Sequence, residues 1–177
     1  MVALSTYMLV FRVLHIVSGI FWVGSAFFVT VFLEPTAAEL GPDAGPVMAH
    51  LMDKRKVGQI ITGIAAFTVI GGLFLYWRDW HSMYPSFGDW IGSAFGGVLT
   101  VGAVCAIAAF FVGTGGIPPT INKMNALGKE MASAGGPPAP EQMAAMASLQ
   151  HRLKIISRTD LVLVTIAILA MATARYW

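Results

Sequence analysis

With 177 residues, 56% of them hydrophobic, 11% charged, and a net charge of +2, the chain lies outside the soluble composition in which about a quarter of residues are charged. Its mean hydropathy of +0.72 points to an integral membrane protein. The small net charge, grouped by segment and not spread over a docking face, excludes a nucleic-acid partner. The single cysteine, Cys105, excludes an intrachain disulfide and a cysteine-cluster metal site.

The N-terminal MVALSTYMLVF has no basic region and leads into an apolar run far longer than a signal peptide's core, which predicts an uncleaved first span. With Arg12 snorkelling at the boundary, residues 13–33 supply the roughly 20 apolar residues a bilayer core requires. The following EPTAAELGPDAGP should break the helix through Pro35, Gly41, Pro42, Gly45 and Pro46. Helical periodicity then restarts in VMAHLMDKRK and is expected to run directly into a second span at 57–77. A short turn carrying Trp80, His81, Tyr84, Pro85 and Gly88 leads to a third span at 90–112. Gly92, Gly96, Gly97 and Gly102 give that helix small faces for close approach.

Beyond Gly113 the stripes Ile121, Met124, Leu127, Met131 and Met143, Met146, Leu149, Leu153 flank the breaker GGPPAP. They predict a helical hairpin over 117–154 outside the bilayer, followed by a fourth span at 155–174. The fold class is therefore all-α: one domain, an integral membrane four-helix bundle with cytoplasmic helical extensions. No internal repeat supports an inverted-repeat transporter.

Cations set the expected orientation. Lys54, Arg55 and Lys56 lie in the first connection, and Lys123, Lys129, Arg152, Lys154 and Arg158 in or beside the third. The opposite side has only Arg12, Arg78 and Arg175. By the positive-inside rule both termini face away from the cytoplasm, in a bacterial inner membrane. Tyr7, Trp77, Trp80, Tyr84, Trp90, Tyr176 and Trp177 should form an aromatic belt on that same side.

The chemistry concentrates in RVLHIVSGIFWVG, residues 12–24. At about 100° per residue Arg12, His15, Ser18, Gly19 and Trp22 share one helix face. Ionisable groups in a membrane helix usually turn inward or line a site. His15 is a candidate axial ligand for haem iron, a proton-transfer group, or a histidine bonded to a neighbouring helix. Arg12 would pair with a haem propionate or simply snorkel, and Trp22 would pack on a macrocycle or in the core. His81 is the candidate second ligand if the outer turn folds inward, and otherwise a solvated interfacial histidine. His50 points away from Met48 and Met52, and His151 lies off the Met143, Met146 stripe, so these methionines read as packing and not as copper ligands. Asp160 should form an ion pair with Arg55, Lys56 or Arg158, a proton relay being its alternative. No phosphate loop, catalytic triad, paired glycosidase carboxylates or HExxH helix is present.

LHIVSGIFWVGS, with six residues between His15 and Trp22 and Gly24 following, resembles the first membrane helix of the CopD-like superfamily, which includes the HemJ-type proteins. DKRK at the entry to the second span and the final SRTDLVLVTIAILAMATARYW extend the likeness in outline over the chain. The resemblance implies a small four-helix membrane protein with haem b held by the first-helix histidine, here His15. The expected function is electron transfer or a membrane-linked oxidation. The competing expectation is a non-enzymatic accessory subunit, partnered by a membrane complex or by further copies of itself, within the lipid bilayer.

Overall fold

The computed structural model describes residues 6–177, and every regular element among them is helical. Helix α1 (Thr6–Phe28) passes through a widened turn at Val29–Leu33 into α2 (Glu34–Leu40); α3 is Gly45–Ala49 and α4 Val57–Met83. A short α5 (Phe87–Gly92) precedes the two longest elements, α6 (Ala94–Ser133) and α7 (Pro140–Thr173). Four helical stretches are long and apolar enough to cross a membrane: Thr6–Leu40, Val57–Met83, Ala94–Ser133 and Pro140–Tyr176. The first five residues, including the start of the segment read as leading into an uncleaved first span, lie outside the described residues.

Pro35 does not end the first helix. A proline lacks the N–H and its ring collides with the carbonyl four residues back. The chain accommodates the ring by widening the preceding turn, so that the N–H of Glu34 donates to the carbonyl of Val29, five residues earlier. Helix α2 then continues to Leu40 and stops at Gly41, whose φ of +56° a glycine adopts without strain. A second departure comes before α4. The segment carrying DKR ends at Arg55, and Lys56 takes a left-handed conformation with φ of +53°, so it does not run directly into the second long helix.

At the expected start of the third span, Ser93 separates α5 from α6, its hydroxyl accepting from the N–H of Gly96 at 3.0 Å and donating to the carbonyl of Trp90 at 2.7 Å. Trp90 is not part of an exposed belt. It is fully buried, with Tyr76, Tyr84 and Phe95 edge-on around it at centroid distances of 5.4, 5.3 and 5.5 Å. Helix α6 continues unbroken through Pro118 and Pro119. The turn at Gly135 (φ +67°) returns the chain, and Gln142 ties the two arms by donating to Glu130 Oε1 at 3.2 Å.

The long helices pack in a closed order: α1 on α4, α4 on α6, α6 on α7 and α7 back on α1. The start of α1 lies beside the end of α4, while the end of α1 and the start of α2 lie beside the first half of α7. One end of the assembly, the terminal end, therefore carries Thr6 and the C-terminal Trp177, and the other leads to the α6–α7 hairpin. Contact between α6 and α7 is close because Gly102 and Gly116 leave room for Met171, Ala167 and Ile156, where a Cβ would meet atoms at 2.8–3.2 Å. At mid-height, Trp22, Ala65, Ala109 and Val164 form a core with one residue from each long helix, a large indole set against small neighbours. Outward faces carry Ile16, Phe21, Ile70, Val104, Phe111 and Leu169, all exposed apolar side chains of the kind a bilayer covers.

Candidate functional site

The polar stripe of α1 faces α4, with Arg12 meeting Asp79 and both His15 and Gly19 meeting Thr68. Because the two helices run antiparallel, residues early in α1 meet residues late in α4. Arg12 Nη2 donates to both carboxylate oxygens of Asp79, at 2.9 and 3.2 Å. One turn deeper, His15 Nδ1 lies 2.9 Å from the carbonyl oxygen of Thr68. Gly19 packs on the Thr68 methyl, and Trp22 reaches the core. Ser18 turns back, donating to the carbonyls of its own helix at Leu14 and His15.

A carbonyl oxygen only accepts, so the Thr68 contact requires the proton on Nδ1. In the neutral ring Nε2 then carries the lone pair. Nε2 has no hydrogen-bond partner among the described residues. Thr68 Oγ1 bonds Ile64 in its own helix and leaves its carbonyl to the imidazole. Room for the ring comes from Gly71 and Gly72: a Cβ on Gly72 would lie 2.7 Å from His15 Cε1 and 3.5 Å from Nε2. Beside the imidazole is a cavity of about 230 Å³ lined by Phe11, Leu14, Phe67, Ile70, Gly71 and Phe74. Phe11 and Phe74 flank it with centroids 4.8 Å apart.

The other candidates are not brought to this cavity. Arg12 is engaged with Asp79, pinning α1 to α4 at the terminal end. Trp22 sits two turns deeper and packs against Ala65, Ala109 and Val164. His81 is nine residues beyond Gly72 on the same helix, roughly 14 Å along its axis. Its Nδ1 lies 3.1 Å from the Trp77 carbonyl and its ring lies tilted against those of Trp77 and Trp80. The structure does not bring it into reach of a second axial position opposite His15. For haem, the residues thus fit one imidazole ligand with an aromatic wall beside it, and they supply neither a second ligand nor an unengaged propionate cation. His50 and His151 are exposed, and no group of three or more His, Cys, Asp or Glu side chains suited to a metal ion occurs among the described residues.

At the opposite end, the expected ion pair of Asp160 is absent. Among the described residues Arg12–Asp79 is the ion pair of the molecule. Asp160 is buried, with 5% of its surface exposed, and its Oδ1 has no hydrogen-bond partner. One turn away, Ser157 Oγ lies 2.5 Å from Glu34 Oε1. The reason is geometric: Arg55, Lys56 and Arg158 are exposed, and Asp160 turns toward the Gly113 backbone.

Asp79, Glu34 and Ser157 were not singled out by sequence reasoning. Asp79 was detectable in principle, because an inward Arg12 near one end of a first helix calls for an acid near the end of an antiparallel neighbour. Glu34 was hidden by Pro35, which argued that the helix had already ended.

Comparison with protein-family models, with curated proteins and with solved structures finds no match to this chain.

Proposed function

We propose that the protein is a four-helix membrane bundle binding haem b through His15 Nε2 and serving electron transfer or a membrane-linked oxidation. The observation that supports this most is the His15 Nδ1 to Thr68 carbonyl bond. Metal-bound histidines characteristically donate their second ring N–H to a backbone carbonyl or carboxylate, which fixes the tautomer and the ring orientation. Gly71 and Gly72 make room for the ring against α4, and Phe11, Phe67 and Phe74 offer an apolar wall. When bound, haem would supply one-electron chemistry. The protein's own part is to present one imidazole, to exclude water with phenyl rings, and to keep Arg12 and Asp79 neutralised nearby. Because no second ligand is within reach, the site is one-sided. In this reading the cation-rich hairpin faces the cytoplasm, both termini face away from it, and the membrane is a bacterial inner membrane.

A second reading, an accessory subunit of a membrane complex or a self-associating protein, is supported by the outward face of α1. Only 6% of its most apolar window is buried, and an apolar groove of about 560 Å³ runs between α1 and α4 past Ile20, Phe21, Phe28 and Ile61.

Visible spectroscopy of the detergent-purified protein separates the two. The haem reading expects a reduced-minus-oxidised Soret and alpha band that is lost in His15→Ala and retained in His81→Ala. A folded but colourless preparation, made with haem supplied during expression, rules it out and leaves the accessory role.

A further inference from the structure

The hairpin end contains a polar cluster that His15 and its cavity do not touch. Asp160 from α7 is buried to 95%, and its Oδ1 is enclosed without a partner. An ionised carboxylate in that position would lack both countercharge and hydrogen bonds, a cost of several kcal/mol that proteins usually avoid by neutralising the group. The groups facing it from each packed element are few. Helix α6 contributes Gly113, whose absent Cβ would lie 3.1 Å from Asp160 Oδ1. The N–H groups of a helix interior are already committed to carbonyls one turn back, so that backbone offers no donor. The widened turn at Val29–Leu33 contributes no ionisable group, and the helix that follows it contributes Glu34. On α7 itself, Ser157 is fully buried and Arg158 is exposed, acting on Glu34 only at a distance.

Ser157 adds an independent count of protons. Its hydroxyl oxygen lies 2.5 Å from Glu34 Oε1 and 2.9 Å from the carbonyl oxygen of Leu153. Both neighbours are acceptors if Glu34 is ionised, yet a hydroxyl has one hydrogen. A proton on Glu34, donated to Ser157 while Ser157 donates to Leu153, satisfies every atom.

We propose that Asp160, Glu34 and Ser157 form a proton-binding carboxyl site at the hairpin end of the helix assembly, with Asp160 carrying a proton while α6 and α7 are packed. When the two helices part near Gly113, the O–H bond of Asp160 breaks heterolytically. Its electron pair stays on the carboxylate and its proton passes to water. Uptake is the reverse, so the packing of α6 on α7 is coupled to one proton.

Infrared spectroscopy of the full chain in detergent tests this directly. At neutral pH the protein should show a carboxylic acid C=O band that downshifts when the aspartates alone carry ¹³C. Asp43, Asp53 and Asp89 are exposed and Asp79 is ion-paired, so such a band belongs to Asp160. Asp160→Asn should remove the aspartate band. It should also reduce the fall in melting temperature that the wild type shows as pH rises from 5 to 9, Glu34 accounting for the remainder. Absence of the labelled band at neutral pH overturns the proposal without recourse to any variant. So does a band that vanishes when choline is exchanged for sodium or potassium, which would make the ligand a metal cation.

Discussion

The two ends of the helix assembly solve the same electrostatic problem in different ways. At the terminal end an acid and a base from α1 and α4 neutralise each other, Arg12 with Asp79, and both keep some contact with the surroundings, at 43% and 13% side-chain exposure. At the hairpin end Asp160 of α7 lies one turn from Ser157, the residue that meets Glu34 of α2, and among the described residues no cation is bonded to either acid. The first arrangement fixes helix position by charge pairing. The second makes helix packing depend on proton occupancy. The lesson is that a buried carboxyl's neighbours, and not its depth alone, decide which way it is stabilised.

Substitutions can break this contrast, starting from the terminal end. Gly72→Leu should have the largest effect, costing about 2–3 kcal/mol, because even its Cβ would overlap His15 Cε1 and force α1 from α4. A thermal melt in detergent, with the His15 ring tautomer followed by nitrogen NMR, measures both the loss and its cause. Asp79→Ala should cost about 2 kcal/mol by leaving Arg12 unpaired, and Arg12→Ala less, since its guanidinium is nearly half exposed. The double-mutant cycle should give a coupling near 1 kcal/mol that shrinks as salt is raised; a coupling of zero would mean the pair is positioned but contributes nothing. Smallest is Ser157→Ala, expected to cost about 1 kcal/mol for its bonds to Glu34 and Leu153. If the hairpin end is held by protons and not by countercharge, that loss is insensitive to salt.

Much of the helical order was legible in the chain. Four apolar runs of spanning length, and the inward stripe Arg12, His15, Trp22, follow from composition and a 3.6-residue period, and both appear in the structure. What periodicity could not give was the partner on the other helix. The Thr68 carbonyl that orients His15 is backbone, which every residue possesses, so no side-chain pattern marks it. Gly71 and Gly72 read as generic small residues until a ring is seen against them. The ion pair expected for Asp160 failed because Arg55, Lys56 and Arg158 are all exposed while Asp160 is buried. Pro35 misled for a different reason: proline rules describe an unmodified α-helix, and here the turn before it is widened.

That widened turn sets the rotational phase of everything that follows it. It accommodates one residue more than an α-helical turn does, and so advances everything after it by roughly 100° about the helix axis. A helix lacking the extra residue would present a neighbour of Glu34 to Ser157 and send the acid elsewhere. Deleting one residue within Val29–Leu33 should therefore withdraw the carboxyl group from α7 while leaving Arg12, His15 and Trp22 in phase.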